Sequence, residues 1–134
     1  MNLIKKLEKG DCIGIFSSSS PTNEDAVNKM KNYFTEGGYK VKIAAHTLEA
    51  NSFMAGEAAH RVEDFHSLIS DPTVALVMTA NGGESAIQML SLIDFDLVSR
   101  NPKIICGMSD PTSLMTAITS KASVPTFHGP NGYN

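Results

Sequence analysis

Val74-Ala-Leu-Val-Met-Thr-Ala-Asn-Gly-Gly-Glu-Ser-Ala-Ile-Gln-Met-Leu90 reads as a buried strand, a tight glycine turn and a helix start. The run from Val74 to Met78 is short, apolar and β-branched at Val74 and Val77, which suits a parallel strand covered on both faces. Asn81, Gly82 and Gly83 break it, because glycine takes backbone angles closed to other residues and can reverse the chain with its N–H groups facing outward. From Glu84 onward Ile87, Leu90 and Ile93 recur at helical spacing, with Met89 widening the apolar face. The spacing predicts a helix whose first residue stands at the carboxyl edge of a sheet, beside N–H donors and the positive end of a helix dipole.

Hydrolases place a nucleophilic serine on a strand-to-helix elbow of this kind, with neighbouring backbone amides forming an oxyanion hole. Ser85 and Ala86 compete for that position here. A Gly-Gly-x-Ser string is a weak signal by itself, and the plain alternative makes the glycines a connecting turn and Ser85 an exposed helix cap.

Outward from this stretch, strand and helix signals alternate. Cys12-Ile-Gly-Ile-Phe16 is the first strand, followed by Ser17 to Ser20 and Pro21; these hydroxyls either cap the next helix or touch a ligand at the sheet edge. Thr22 or Asn23 opens a helix carrying Ala26, Val27, Met30, Tyr33 and Phe34, with Glu24 and Asp25 favouring its dipole. Gly37-Gly38 stops it. Tyr39 to Ile43 alternates as a second strand, and Ala44 to Gly56 is a long loop of a length often tied to function. Glu57 to Ile69 is a helix with Ala58, Val62, Phe65 and Ile69 on one face and Arg61, Glu63 and Asp64 elsewhere, ended by Ser70-Asp-Pro72. After the central stretch, closed by Asp94, come a strand at Ile104 to Gly107, a helix opened by Ser109-Asp-Pro111 and a last strand at Val124 to Phe127. Five strands separated by helices imply an α/β fold: a parallel sheet with right-handed crossovers and helices on both faces. The serine run, Asn81 to Ser85 and Gly107 to Asp110 then meet at one edge, the expected site.

Composition excludes several classes. With 134 residues the chain holds one domain, 1–134, and its 42% hydrophobic content is that of a globular protein. A net charge of −3 with 11 basic residues offers no attraction to nucleic acid or anionic membrane. No apolar run is long enough to span a bilayer, and Met-Asn-Leu-Ile-Lys-Lys lacks the apolar core of a signal peptide, so a cytoplasmic location is expected. Cys12 and Cys106 sit in apolar runs as buried free thiols. No CxxC or HExxH spacing occurs, and neither a metal nor a cofactor is expected. His60 and His66 fall on the second long helix, His46 in the loop and His128 after the last strand, with solvent-facing or capping roles expected. Glu84 reads as a solvated first-turn acid, and Asp110 as a helix cap or a ligand contact.

Several ordered blocks resemble the N-terminal domain of the LD-carboxypeptidase family of serine peptidases, which includes the microcin C immunity peptidases. That family has Gly-Gly, two variable residues, the catalytic Ser, two residues and a Leu-Leu-Pro-x-Leu-Asp run; Gly82 to Asp94 follows this without a gap. The blocks Asn101-Pro-Lys103, Gly107-Met-Ser-Asp110 and Thr126-Phe-His-Gly-Pro130 also match, as do Ala55-Gly56, Arg61 and Asp64. In the ungapped match the nucleophile position falls on Ala86, with Ser85 one residue early. Either Ala86 is an active-site substitution, the favoured reading, or Ser85 serves after a register shift.

The resemblance implies a flavodoxin-like N-terminal domain whose catalytic Glu and His would lie in a C-terminal domain absent from this chain. It implies acyl transfer on an L,D-amide of a murein peptide, or on the amide of a microcin-type peptide-nucleotide. Ser would attack, His would carry the proton and Glu would hold the imidazole. Gly82, Gly83, Glu84, Ser109, Asp110, Ser18 and Ser19 are the expected oxyanion and substrate-binding residues. Expected partners are the small substrate, the C-terminal domain and, as the resemblance admits, a second copy in a homodimer. Alone, the chain is expected to be inactive, either as a disabled peptidase domain or as a ligand-binding module of the same fold. An unrelated cofactor- or sugar-binding domain lacks support, since no phosphate-binding glycine fingerprint occurs.

Overall fold

The computed structural model describes residues 3–132; Met1, Asn2, Tyr133 and Asn134, the ends of the expected domain, lie outside the described residues. Five strands form one sheet: β1 (Cys12–Phe16), β2 (Lys40–Ile43), β3 (Val74–Thr79), β4 (Ile104–Gly107) and β5 (Phe127–His128). Their order is β2-β1-β3-β4-β5, and every neighbouring pair is parallel. The helices are α1 (Glu24–Glu36), α2 (Ala58–Ser70), α3 (Phe95–Arg100) and α4 (Thr112–Ala122). The α/β fold expected from the alternating signals is the one observed.

The period of two along β3 divides the core. Val77 packs with Phe65, Leu68 and Ile69 of α2, Val98 of α3 and Ile118 of α4. Leu76 and Met78 face the other way, onto Ala26 and Met30 of α1. Both faces are thus covered, as the continuous apolar character of β3 requires.

Four local expectations are corrected. No long helix follows Glu84: a four-residue 3-10 turn, Ala86–Met89, gives way to α3. At three residues per turn Ala86 and Met89 share the inward side, so Met89 is buried while Ile87 is 63% exposed. The Ile87, Leu90, Ile93 spacing belongs to a turn and a loop. The last strand is Phe127–His128 rather than Val124 to Phe127; Pro125 has no N–H for a ladder, and Val124 is committed to the core. The helix expected to open at Ser109 begins at Thr112, after Pro111 at the cap. Finally, Arg61 and Asp64, assigned away from the apolar face of α2, are both buried, because loops cover this helix beside the face that meets the sheet.

Candidate active site

β1, β3 and β4 end together, which brings the loops after them to one edge of the sheet. The loop after β1 is locked to the turn after β3: the Ser20 N–H donates to the Gly82 carbonyl at 3.1 Å. Gly83 makes this approach feasible. Its φ is +153°, and a Cβ there would lie 2.2 Å from the Ser20 hydroxyl oxygen and 2.7 Å from the Ser20 nitrogen. Gly82 meanwhile lies against Ser109, in the loop after β4. Ser109 itself has φ +66°, an uncommon angle for a residue with a side chain.

Arg61 of α2 is the polar centre of the edge. Its Nη1 donates to the Ser18 carbonyl at 2.9 Å, the Ser85 carbonyl at 3.0 Å and the Ser85 hydroxyl at 3.2 Å. Its Nη2 donates to Gln88 Oε1 at 2.7 Å. Burial lowers the guanidinium pKa and nearby Asp110 opposes that shift, yet an arginine stays charged at any ordinary pH.

The expected site residues occupy distinct environments. Ser85 is 1% exposed, and its hydroxyl donates to the Ser19 carbonyl at 2.9 Å while accepting from Arg61. Ala86 begins the 3-10 turn, fully buried, and its N–H donates to Asp110 Oδ2 at 2.8 Å. Asp110 therefore joins two loops instead of capping α4, whose start has no side-chain cap bond. Glu84 is solvated and Ser109 exposed. Ser18 and Ser19, expected to touch a ligand, are fully buried, and their hydroxyls lie 3.1 Å from each other. They build the loop from inside. The helix cap expected from the serine run comes from Asn23, whose Oδ1 accepts the Ala26 N–H.

Three histidines are paired away from this elbow. His46 Nδ1 pairs with buried Asp64 at 2.7 Å, His60 Nδ1 with Glu49 at 2.9 Å, and His66 Nε2 accepts the Asp94 N–H at 3.0 Å. His128 lies exposed on β5. Among the described residues, one set of side chains has a metal-compatible arrangement: His46, Glu49 and His60. Sequence spacing could not reveal it, because the long loop folds back to bring positions 46 and 49 onto the first turn of α2.

The profile of the LD-carboxypeptidase N-terminal domain matches residues 13–129. The chain belongs to the LD-carboxypeptidase family. It is 39% identical over 129 residues to YocD of Bacillus subtilis (strain 168), covering 94% of this chain and 40% of YocD. To the microcin C7 self-immunity protein MccF of Escherichia coli it is 33% identical over 131 residues, 96% of this chain and 38% of MccF. An MccF-like protein from Bacillus anthracis superposes with a TM-score of 0.94 at 33% identity, over 99% of this chain and 41% of that one. MccF itself, whose structure is known in complex with aspartyl sulfamoyl adenosine, gives a TM-score of 0.91 at 32% identity, over 98% of this chain and 40% of that one. The chain thus spans about 40% of the length of the relatives it matches, and the LD-carboxypeptidase N-terminal domain is the part it matches.

Proposed function

We propose that this chain is the nucleophile-side domain of an amide hydrolase and that position 86 is the nucleophile position, occupied by alanine. The carrying observation is the contrast between two adjacent residues. The Ser85 hydroxyl is committed to the Ser19 carbonyl and to Arg61, whereas Ala86, equally buried, has only its backbone N–H engaged, by Asp110 of the loop after β4. A methyl group cannot attack a carbonyl, so the chain as it stands is inactive. With serine at position 86, the hydroxyl would attack an amide between an L- and a D-residue of a murein peptide, or the amide of a microcin-type peptide-nucleotide. A histidine from the part of the relatives that this chain does not span would take the proton and return it to the leaving amine, oriented by a glutamate. Backbone N–H groups around Gly83 would hold the oxyanion, each donor contributing about 3 kcal/mol in comparable sites.

The same alanine favours a second reading, a ligand-binding module that keeps the small peptide or peptide-nucleotide site without cleaving. The test joins this chain to a family C-terminal domain and compares it with its Ala86→Ser variant on an L,D-linked tetrapeptide and on an aspartyl sulfamoyl nucleotide. Cleavage by the Ala86→Ser form alone supports the peptidase reading. Equal cleavage by both moves the nucleophile to Ser85, and saturable binding without cleavage by either supports the binding module.

A further inference from the structure

We propose that His46, Glu49 and His60 bind a divalent transition-metal ion, Zn2+ or a close relative, beside the sheet edge. The proposal is independent of the amide chemistry above. One donor atom from each residue lies within 4.8 Å of the other two. From one Glu49 oxygen, Oε1, His60 Nδ1 is 3.1 Å away and His46 Nε2 is 4.0 Å away. Tetrahedral Zn2+ with bonds of about 2.0 Å sets neighbouring donor atoms about 3.3 Å apart, so the observed separations straddle the required one. Two imidazoles and one carboxylate suit a borderline ion, with a fourth position left for water.

Two features support the ligands from behind. Asp64, buried under the loop, accepts both the His46 backbone N–H and its Nδ1–H, the latter at 2.7 Å. That fixes the proton on Nδ1 and leaves the Nε2 lone pair for the ion, the outer arrangement that metal-binding histidines commonly have. Glu49 is seated against Gly56, whose φ is +81°; a Cβ there would lie 2.4 Å from Glu49 Oε2. Only a residue without a side chain lets the carboxylate lie in that place.

The His46 and His60 rings are stacked, with centroids 4.4 Å apart and planes 18° from parallel. In-plane lone pairs of stacked rings run side by side, so binding requires one ring to turn. His60 is able to do so, its side chain being 42% exposed, while Asp64 holds His46. The ion would clamp the 44–56 loop onto α2. That clamp reaches the elbow, because Ala55 N–H donates to the Ser19 carbonyl and Arg61 follows His60 directly.

The experiment is titration of the chelator-stripped chain with Zn2+ against a chromophoric competitor, alongside histidine-ring NMR. One equivalent should bind, shifting the His46 and His60 ring signals and not those of His66 or His128. His60→Ala and Glu49→Gln should each weaken binding by at least about tenfold, and Asp64→Asn by about 10- to 100-fold, with far-UV circular dichroism confirming that each variant is folded. Because His60 and Glu49 are partly exposed, their variants test the site even if Asp64→Asn fails to fold. Undiminished binding by a His60→Ala/Glu49→Gln double variant, ring shifts confined to His66 or His128, or no binding at all would overturn the proposal.

Discussion

Asp110 accepts the Ala86 N–H at 2.8 Å, joining the loop after β4 to the turn after β3. The bond does for the 3-10 turn what a capping side chain does for a helix, and it is charge-assisted. Asp110→Ala should therefore lower stability by about 1 kcal/mol. Asp110→Asn should lose less, since an amide oxygen can still accept. Urea denaturation of both variants checks this; equal losses would mean that the carboxylate acts through its charge near Arg61 rather than through this bond.

Arg61 gathers the edge into one unit. Truncation to alanine would leave the carbonyls of buried Ser18 and Ser85 without their Arg61 donor, and buried unsatisfied acceptors cost about 1–3 kcal/mol apiece. Arg61→Ala should destabilise the fold by about 3 kcal/mol or more, near the upper range for single substitutions. Arg61→Lys should recover only part of this, because one ammonium cannot serve Ser18 and Gln88 with the geometry of a planar fork. Complete rescue by lysine would show that charge alone matters at this position.

The sheet was legible in sequence because its signal is local. Val74 to Met78 alternates between two helix layers, and the glycines after it mark the turn whichever contacts follow. The site was legible only in outline. The serine run, the Gly82-Gly83 turn and the 107–110 loop do converge, but by helical spacing Arg61 reads as one more charge on an amphipathic helix, and only its match to the family pattern singles it out. What decides its burial is a set of carbonyls from positions 18 and 85, which no helical period encodes. The same holds for the pairing of His46 with Asp64, 18 residues apart. The overlong helix after Glu84 has a different origin: apolar residues at helical spacing also arise when a short turn and a loop each send one residue inward.

Gly83 sets the contact between the first two loops. At φ +153° any side chain is strained, and a methyl group would meet the Ser20 backbone nitrogen at 2.7 Å. Gly83→Ala should cost about 1–3 kcal/mol from the backbone angle alone and should open the Ser20–Gly82 hydrogen bond. Hydrogen exchange at the Ser20 amide reads this directly. Protection unchanged from the parent would show that the loops are held together elsewhere, by Arg61 first of all.

His66 ties α2 to the start of α3. Its Nε2 accepts the Asp94 N–H, while Asp94 Oδ1 accepts the Leu97 N–H and caps α3. Only a neutral imidazole can accept in this way. Burial lowers the His66 pKa, and the nearby Asp94 carboxylate offsets only part of that shift. A base whose folded-state pKa lies below the ordinary value of about 6.5 binds its proton more readily when unfolded. Its contribution is therefore complete above about pH 6.5 and is lost as the pH falls below that value. His66→Gln keeps an acceptor at this position and removes the titration. Between pH 7 and pH 5 the melting temperature of the parent should fall relative to that of His66→Gln, the difference cancelling the groups the two share. A constant difference across this range would mean that His66 takes up its proton equally in the folded and unfolded states, so that the contact with Asp94 does not persist in solution.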